Sequence, residues 1–440
     1  MLAWGIDWAL AAALAMVAGA AYWYTGWPYP AQQSSAPHFV LLADALLHGR
    51  LWIDPARAAR LVDVTPFGGH LYVAFPPLPA LLMLPGVALA GPGFNDALFT
   101  LAFGAANTGL AYLLVRRLSR AGWAGPGIPL GRAGAVAVAA TLAFGTVHFY
   151  ASLMGRVWFT AHIIAVTFLL LYLLECAGRG RPLVAGAALA AAFLSRPPVA
   201  FGALFWLVLA WRRRSSVWQL ALRVAVFAGP GLLALALLLA QNAARFGSPF
   251  DFGYLSMRVS PTLAPDLRRY GQFNAHFLPR NLAALLLAPP VLTPAAQRQA
   301  WLRSVHGVSS IVEQWTRPPV RGRPPFPLQF DPWGTGLWAV SPVLAFTLRP
   351  PSAGHRMLAL TSWASIILVA APNLLYYNTG WGQFGYRFSL DWTPFWLILL
   401  ALGLRRPLGR PLGVLFVVLL GLSGAMNLLG ARWFLRLPPY

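Results

Sequence analysis

The sequence predicts an all-α polytopic membrane protein of about 11 transmembrane helices, with long loops on the outer side. Three observations carry that prediction. Hydrophobic residues make up 58% of the 440 positions and charged residues only 10%, a balance foreign to soluble domains. Apolar runs of about 20 residues recur, each long enough as a helix to cross roughly 30 Å of hydrocarbon. The basic residues, all arginine and responsible for a net charge of +22, gather in alternate links between those runs.

The elements follow in order. Residues 1–22 lack a basic leader region and run into the aromatic stretch "AYWYTGW", so they read as a retained first span, 4–23. Further spans are expected at 94–115, 133–153, 157–177, 221–242, 334–348, 356–376, 391–404 and 411–430. The stretch 182–211 holds "SRPP" at 195–198; proline removes a backbone donor and drives its predecessor out of the helical region, so two short spans are expected there. Arg116, Arg117, Arg120 and Arg132 mark one link, Arg179 and Arg181 a second, and Arg212, Arg213, Arg214 and Arg223 a third. Arg349 and Arg356 mark a fourth, and Arg405, Arg406 and Arg410 a fifth. The positive-inside rule places these five in the cytoplasm of a multi-pass inner (plasma) membrane protein. The links near 154–156, 195–198 and 377–390 then face outward. "YVAFPPLPALLMLPGVALAG" (72–91) is either an interfacial or re-entrant piece or a further span, and the second alternative would move 24–71 into the cytoplasm. The organisation expected is a transmembrane module over 1–242 containing a first outer loop (24–93), a second outer loop over 243–333 with short surface helices, one of them within 297–316, and C-terminal helices over 334–440.

Composition and motifs exclude several function classes. The lone Cys176 permits neither an internal disulfide nor a thiolate metal cluster. No phosphate-binding glycine loop, zinc-protease motif or dinucleotide fingerprint occurs, so no cofactor is implied and a divalent-cation requirement stays open. Scattered arginines argue for topology, not for nucleic acid. Span centres without acids argue against a proton-coupled transporter.

Two stretches carry candidate chemistry. "HFVLLADALLHGRLWI" plots as an amphipathic surface helix, with Phe39, Leu42, Ala43, Leu46 and Leu47 on one face and Asp44 and His48 on the other. "YNTGWGQFGYRFSLDW" (377–392) holds Arg387 and Asp391 among glycines and interface aromatics such as Phe384, Tyr386 and Trp392. An arginine not needed as a topology signal is a natural partner for a phosphate, or alternatively for Asp391 or a lipid headgroup. Arg156, Arg196 and His162 are the other polar residues expected at the outer end. Together they describe an outward pocket for an anionic, lipid-borne substrate.

The layout resembles the GT-C glycosyltransferases, the superfamily of protein O-mannosyltransferases and the lipid A aminoarabinose transferase. The resemblance rests on "HFVLLADALLHGRLWI" followed by "GGHLYVAFPPLPALLMLPGVALAG", on the broken pair "LAAAFLSRPPVAFGALFWLVLAW", and on "ARFGSPFDFGY" and "FGYRFSLDWTPF". It implies transfer of a sugar from a polyprenyl-phosphate donor to a lipid or glycan acceptor at the outer face. It also implies a carboxylate base and cations at the departing phosphate. The family's acid at the start of the first-loop helix is missing here, where the chain reads "QQSSAPHF". The nearest acid is Asp44, with Asp54 and Asp63 beyond. The expectation is therefore Asp44 as base, tuned by His48, with His38 as the other candidate. Arg387, Arg196 and Arg156 are expected near the phosphate, with His162, Tyr386 and Asp391 in the same pocket. The competing reading is a non-catalytic lipid- or glycan-binding or translocation partner with the same fold.

Overall fold

Apolar runs punctuated by arginine links fold into a helix bundle whose links fall alternately at two opposite ends. The structure, a computed structural model, describes residues 2–59, 61–260, 263–290, 330–331, 333–380 and 382–435. The surface helix expected within 297–316 lies outside the described residues. The principal helices are α1 (Leu2–Gly26), α2 (His38–Leu47), α3 (Leu78–Ala90), α4 (Asp96–Leu118), α5 (Arg132–Gly145), α6 (Val157–Ala177), α7 (Pro182–Phe193), α8 (Ala203–Arg212), α9 (Val217–Phe246), α10 (Arg356–Leu374), α11 (Thr393–Gly403) and α12 (Arg410–Leu435). Among the described residues six of these, α1, α4, α6, α9, α10 and α12, are long and apolar enough to cross a membrane. α6 is the central one, buried on nearly every side. α9 and α12 present Leu232, Leu233, Val417 and Leu422 outward, as lipid-facing helices do.

Hydrogen bonds between links show which of them share an end. At one end Arg213 donates to the Gly122 carbonyl, Arg349 to the Gly403 carbonyl, the Trp123 amide to Gly178 and the Arg406 amide to Pro129. All five arginine-bearing links gather there. α1 is fixed to the same end by Asp7, whose buried carboxylate accepts from Tyr112 (3.0 Å), Arg116 (3.1 Å), Arg120 (3.2 Å) and Arg132 (2.9 Å). These arginines are therefore structural partners as well as topology signals. Asp7→Ala leaves them facing one another around a buried site. With discounting for their partial exposure, we expect a loss of about 2–3 kcal/mol, read as a lower thermal midpoint of the detergent-purified protein.

The opposite end gathers the first loop, the "SRPP" break and the 377–392 stretch. The Val157 amide donates to Ala36, Leu78 to Leu194, and Asp63 to Arg258. Segment 72–91 starts and finishes at this end: Leu78 meets Leu194, while Gln33 donates to the carbonyls of Pro92 (2.8 Å) and Phe94 (3.1 Å). Its helix α3 has 13 residues, roughly 20 Å of rise, too short to cross. The segment therefore returns to the end of the bundle it starts from, the geometry that a re-entrant or interfacial piece requires. α2 and α3 bury Phe39, Leu42, Met83 and Val87 in a second core beside the start of α6. Leu47, expected on the apolar face, ends α2 and is exposed.

Two expected spans are not continuous helices. α5 stops at Gly145, and 334–348 consists of a four-residue helix, Leu337–Val340, and a 3-10 stretch, Pro342–Leu348. Pro342 has no amide hydrogen to continue the first of these. As expected, 182–211 breaks at "SRPP", where Arg196 is extended (φ −143°) ahead of Pro197.

Candidate active site

Three local structures deliver side chains to one cavity at the end opposite the arginine links. The first is a short hairpin in the first loop, β1 (Thr65–Phe67) and β2 (His70–Tyr72), closed by Gly68 and Gly69, both with positive φ. Paired left-handed glycines are what a two-residue hairpin turn requires. Just before it, Asp63 adopts a left-handed backbone (φ 58°), uncommon for a residue with a Cβ though least costly for Asp and Asn. Long-range bonds hold that conformation. The Asp63 amide donates to Arg258, the Arg258 amide to Val64, and the Val62 carbonyl lies 2.7 Å from His38 Nε2. Asp63 Oδ2 accepts from Trp158 Nε1 at 2.8 Å.

The second structure is the "SRPP" break, and the third is the 377–392 stretch. Asp391 Oδ1 and Oδ2 accept from Arg196 Nε (3.1 Å) and Nη2 (2.8 Å), a bidentate pair. His162 Nδ1 lies 2.8 Å from the same carboxylate, and Asn373 Nδ2 donates to it at 3.0 Å. Arg387 is packed against the rings of Trp158, Phe159 and Phe388 and donates to the Gly380 carbonyl. The cavity between them is lined by Asp63, Trp158, His162, Arg196, Tyr254 and Arg387, among others, and encloses about 50 Å³. Burial pushes the Asp63 carboxyl up to about 6, although the Trp158 bond and the Arg387 charge pull the other way. Burial likewise pushes the Tyr254 phenol up to about 12.

The structure brings together Arg387, Arg196, His162 and Asp391, residues the sequence singled out. Asp391 pairs with Arg196 and His162 and reaches the cavity through them. The other sequence candidates lie elsewhere. Asp44 is not among the cavity's residues; its carboxylate sits 3.8 Å from the exposed His48 ring on the outer face of α2. The helix turns its buried face to α3, which leaves that carboxylate no path inward. Asp44→Asn is accordingly expected to leave both transfer activity and the thermal midpoint unchanged, within about 0.5 kcal/mol for stability. His38 is fully buried behind the cavity, where burial lowers its basicity, and it supports the Asp63 loop through Val62. Arg156 lies in a separate cleft with Arg432, stacked on Phe434. Tyr386 is buried beside Phe388 and Trp392 and points its hydroxyl at the Asn373 carbonyl (3.4 Å). Phe384 and Trp392, expected at the membrane interface, are core residues as well.

Asp63 is the functional candidate that sequence reasoning named only as an acid beyond Asp44 and did not choose. Its one local signal is its place two residues before a glycine-turned hairpin. Tyr254 and Asn373 carry no such signal.

No protein-family model matches the chain, and no curated protein matches it. Two solved structures are similar along its length. One is ArnT from Cupriavidus metallidurans bound to undecaprenyl phosphate, at 14% identity over 97% of this chain and 76% of that one, with a TM-score of 0.49. The other is ArnT from the same organism in the apo state, at 13% identity over 99% and 77%, with a TM-score of 0.47.

Proposed function

We propose that this protein is a membrane glycosyltransferase that moves a sugar from a polyprenyl-phosphate donor to a hydroxyl-bearing lipid or glycan acceptor at the outer face. The observation that carries the reading is Asp63: a strained, partly desolvated carboxylate facing Arg387 in a cavity at the end away from the arginine links. The element order around it, a first span, an outer loop with surface helices, and a proline-broken pair of spans, supports the same reading.

The chemistry balances within those groups. The acceptor oxygen forms a bond to the sugar's anomeric carbon as the bond from that carbon to the phosphate oxygen breaks. The electron pair leaves on the phosphate. Asp63 takes the acceptor's proton, a general-base role suited to a carboxyl that titrates near 6. The phosphate gains one negative charge as Asp63 loses one, so the site's net charge does not change. Arg387 stabilises the departing phosphate electrostatically. Arg196 lines the same cavity, but two of its nitrogens are committed to Asp391 and Asn373, which leaves Nη1 for a substrate oxygen. A cavity of about 50 Å³ has no room for a sugar, so donor binding requires its lining to open.

The test uses purified protein in liposomes with a panel of polyprenyl-phosphate sugars and a membrane-lipid extract as acceptor source. Release of polyprenyl phosphate that depends on Arg387 and Asp63 supports the reading. Donor binding without release, equal in wild type and Asp63→Asn, assigns the protein to the non-catalytic binders instead.

A further inference from the structure

A second cavity, unrelated to the first, lies at the arginine-rich end. It is an open groove of about 890 Å³ between α1, α4, α6 and α7, floored by Phe168, Leu171 and Leu174 of α6 and by Gly178 just past its end. The walls are apolar, with Leu113, Val184 and Ala187 facing in. The rim is not: Arg117, Arg179 and Arg181 surround Glu175. Arg181 is paired with Glu175 at 2.8 Å, so the rim keeps a surplus of two positive charges, on Arg117 and Arg179. Trp8 stands at the lip, more than half exposed, next to Asp7 and its arginine cluster.

We propose that this groove holds one anionic phospholipid of the cytoplasmic leaflet, with an acyl chain along α6 and its phosphate between Arg117 and Arg179. Two observations fix the occupant. The floor runs from the rim at Gly178 to Phe168, ten residues and roughly 15 Å of helix, which equals the depth of one leaflet's hydrocarbon. A water-soluble anion would leave those apolar walls empty; a lipid of the same leaflet fills them and meets the rim with opposite charge. The charge also disfavours a second copy of the chain, because a two-fold contact across this face would set the same arginines against each other. Trp8, an indole at the headgroup level, suits the same placement.

The experiment compares phosphatidylglycerol, phosphatidylcholine with identical chains, and sn-glycerol 3-phosphate, added to the delipidated full-length protein in detergent. Native mass spectrometry reads stoichiometry, and thermal midpoint reads the linked stabilisation. The expected result is one tightly held phosphatidylglycerol per chain and a midpoint raised by several degrees. Phosphatidylcholine and glycerol phosphate should bind at least tenfold more weakly. R117Q/R179Q should erase the preference for the anionic lipid. Ala187→Phe, which fills the groove from its wall, should weaken both lipids. The control Asp63→Asn should keep the lipid effect whether or not the protein is a transferase. Equal binding of the two lipids, retention of phosphatidylglycerol by both groove variants, or a groove-dependent dimer would each overturn the proposal.

Discussion

Asp63→Asn is expected to cut sugar transfer by about 10²–10⁴, the usual range for a lost general base, while donor binding changes little. The substitution is unusually clean. Asparagine accepts the Trp158 hydrogen bond through its own oxygen and tolerates the left-handed backbone at least as well as aspartate. The wild-type rate should rise with pH through about 6 and level off above it, because only the ionised carboxylate can take a proton. Stability runs the other way. A carboxyl raised from 3.8 to about 6 in the folded state binds its proton more tightly there than in the unfolded chain. Its contribution is complete below about 4 and is lost as pH climbs through about 6. At pH 7.5 the asparagine variant should therefore be the more stable protein, by about 1–2 kcal/mol after discounting for partial exposure. Lower activity with a higher thermal midpoint is the signature to look for. A variant that keeps its transfer rate, or loses it only by unfolding, removes Asp63 from the mechanism.

The helices and the gathering of the arginine-bearing links at one end were open to reading because both are local signals. Twenty apolar residues declare a span wherever they occur, and a cluster of arginines marks its side without reference to any distant residue. The break at "SRPP" is local in the same sense, since Pro197 acts on Arg196 directly. Local reasoning failed where position depends on contacts far along the chain. Asp44 carried the helical periodicity and looked like a site residue. Asp63 sits in a loop with no period, and it reaches the cavity only through bonds to Arg258 and Trp158 and the support of His38 beneath Val62. The stretch 377–392 misled in a related way. Its aromatics look like an interface belt, yet Phe384, Tyr386, Phe388 and Trp392 are buried in the helix bundle, where Phe388 packs on the guanidinium groups of Arg387 and Arg196. Aromatic composition alone does not distinguish a headgroup anchor from a core plug. The stretch 334–348 was legible as a length of apolar chain but not in conformation, because Pro342 divides it.

Asp391→Ala should produce the largest stability loss of any single change in the site. The carboxylate is almost wholly buried and accepts from Arg196, His162 and Asn373, which come from three separate parts of the chain. Removing it leaves a guanidinium inside the protein without a counter-charge, a loss of roughly 3–5 kcal/mol. Desolvation and not attraction sets that magnitude, so removing both charges should be gentler than removing one. The double variant Asp391→Leu with Arg196→Leu is expected to recover most of the thermal midpoint, and the non-additivity measures the coupling of the pair. Transfer activity divides the two roles of Arg196. If its remaining Nη1 meets the donor phosphate, the double variant stays inactive although folded, with the loss expressed as a higher donor KM or a lower kcat at unchanged stability. A double variant that is both stable and active would mean that Arg196 serves only to neutralise Asp391, and Arg387 would then carry the phosphate alone. Asp391→Asn separates charge from shape: it keeps a hydrogen-bond acceptor for Arg196 but gives the cavity an unbalanced positive charge. That charge should tighten binding of the phosphate-bearing product and slow its release, so the variant should show a burst of product followed by a slow steady state.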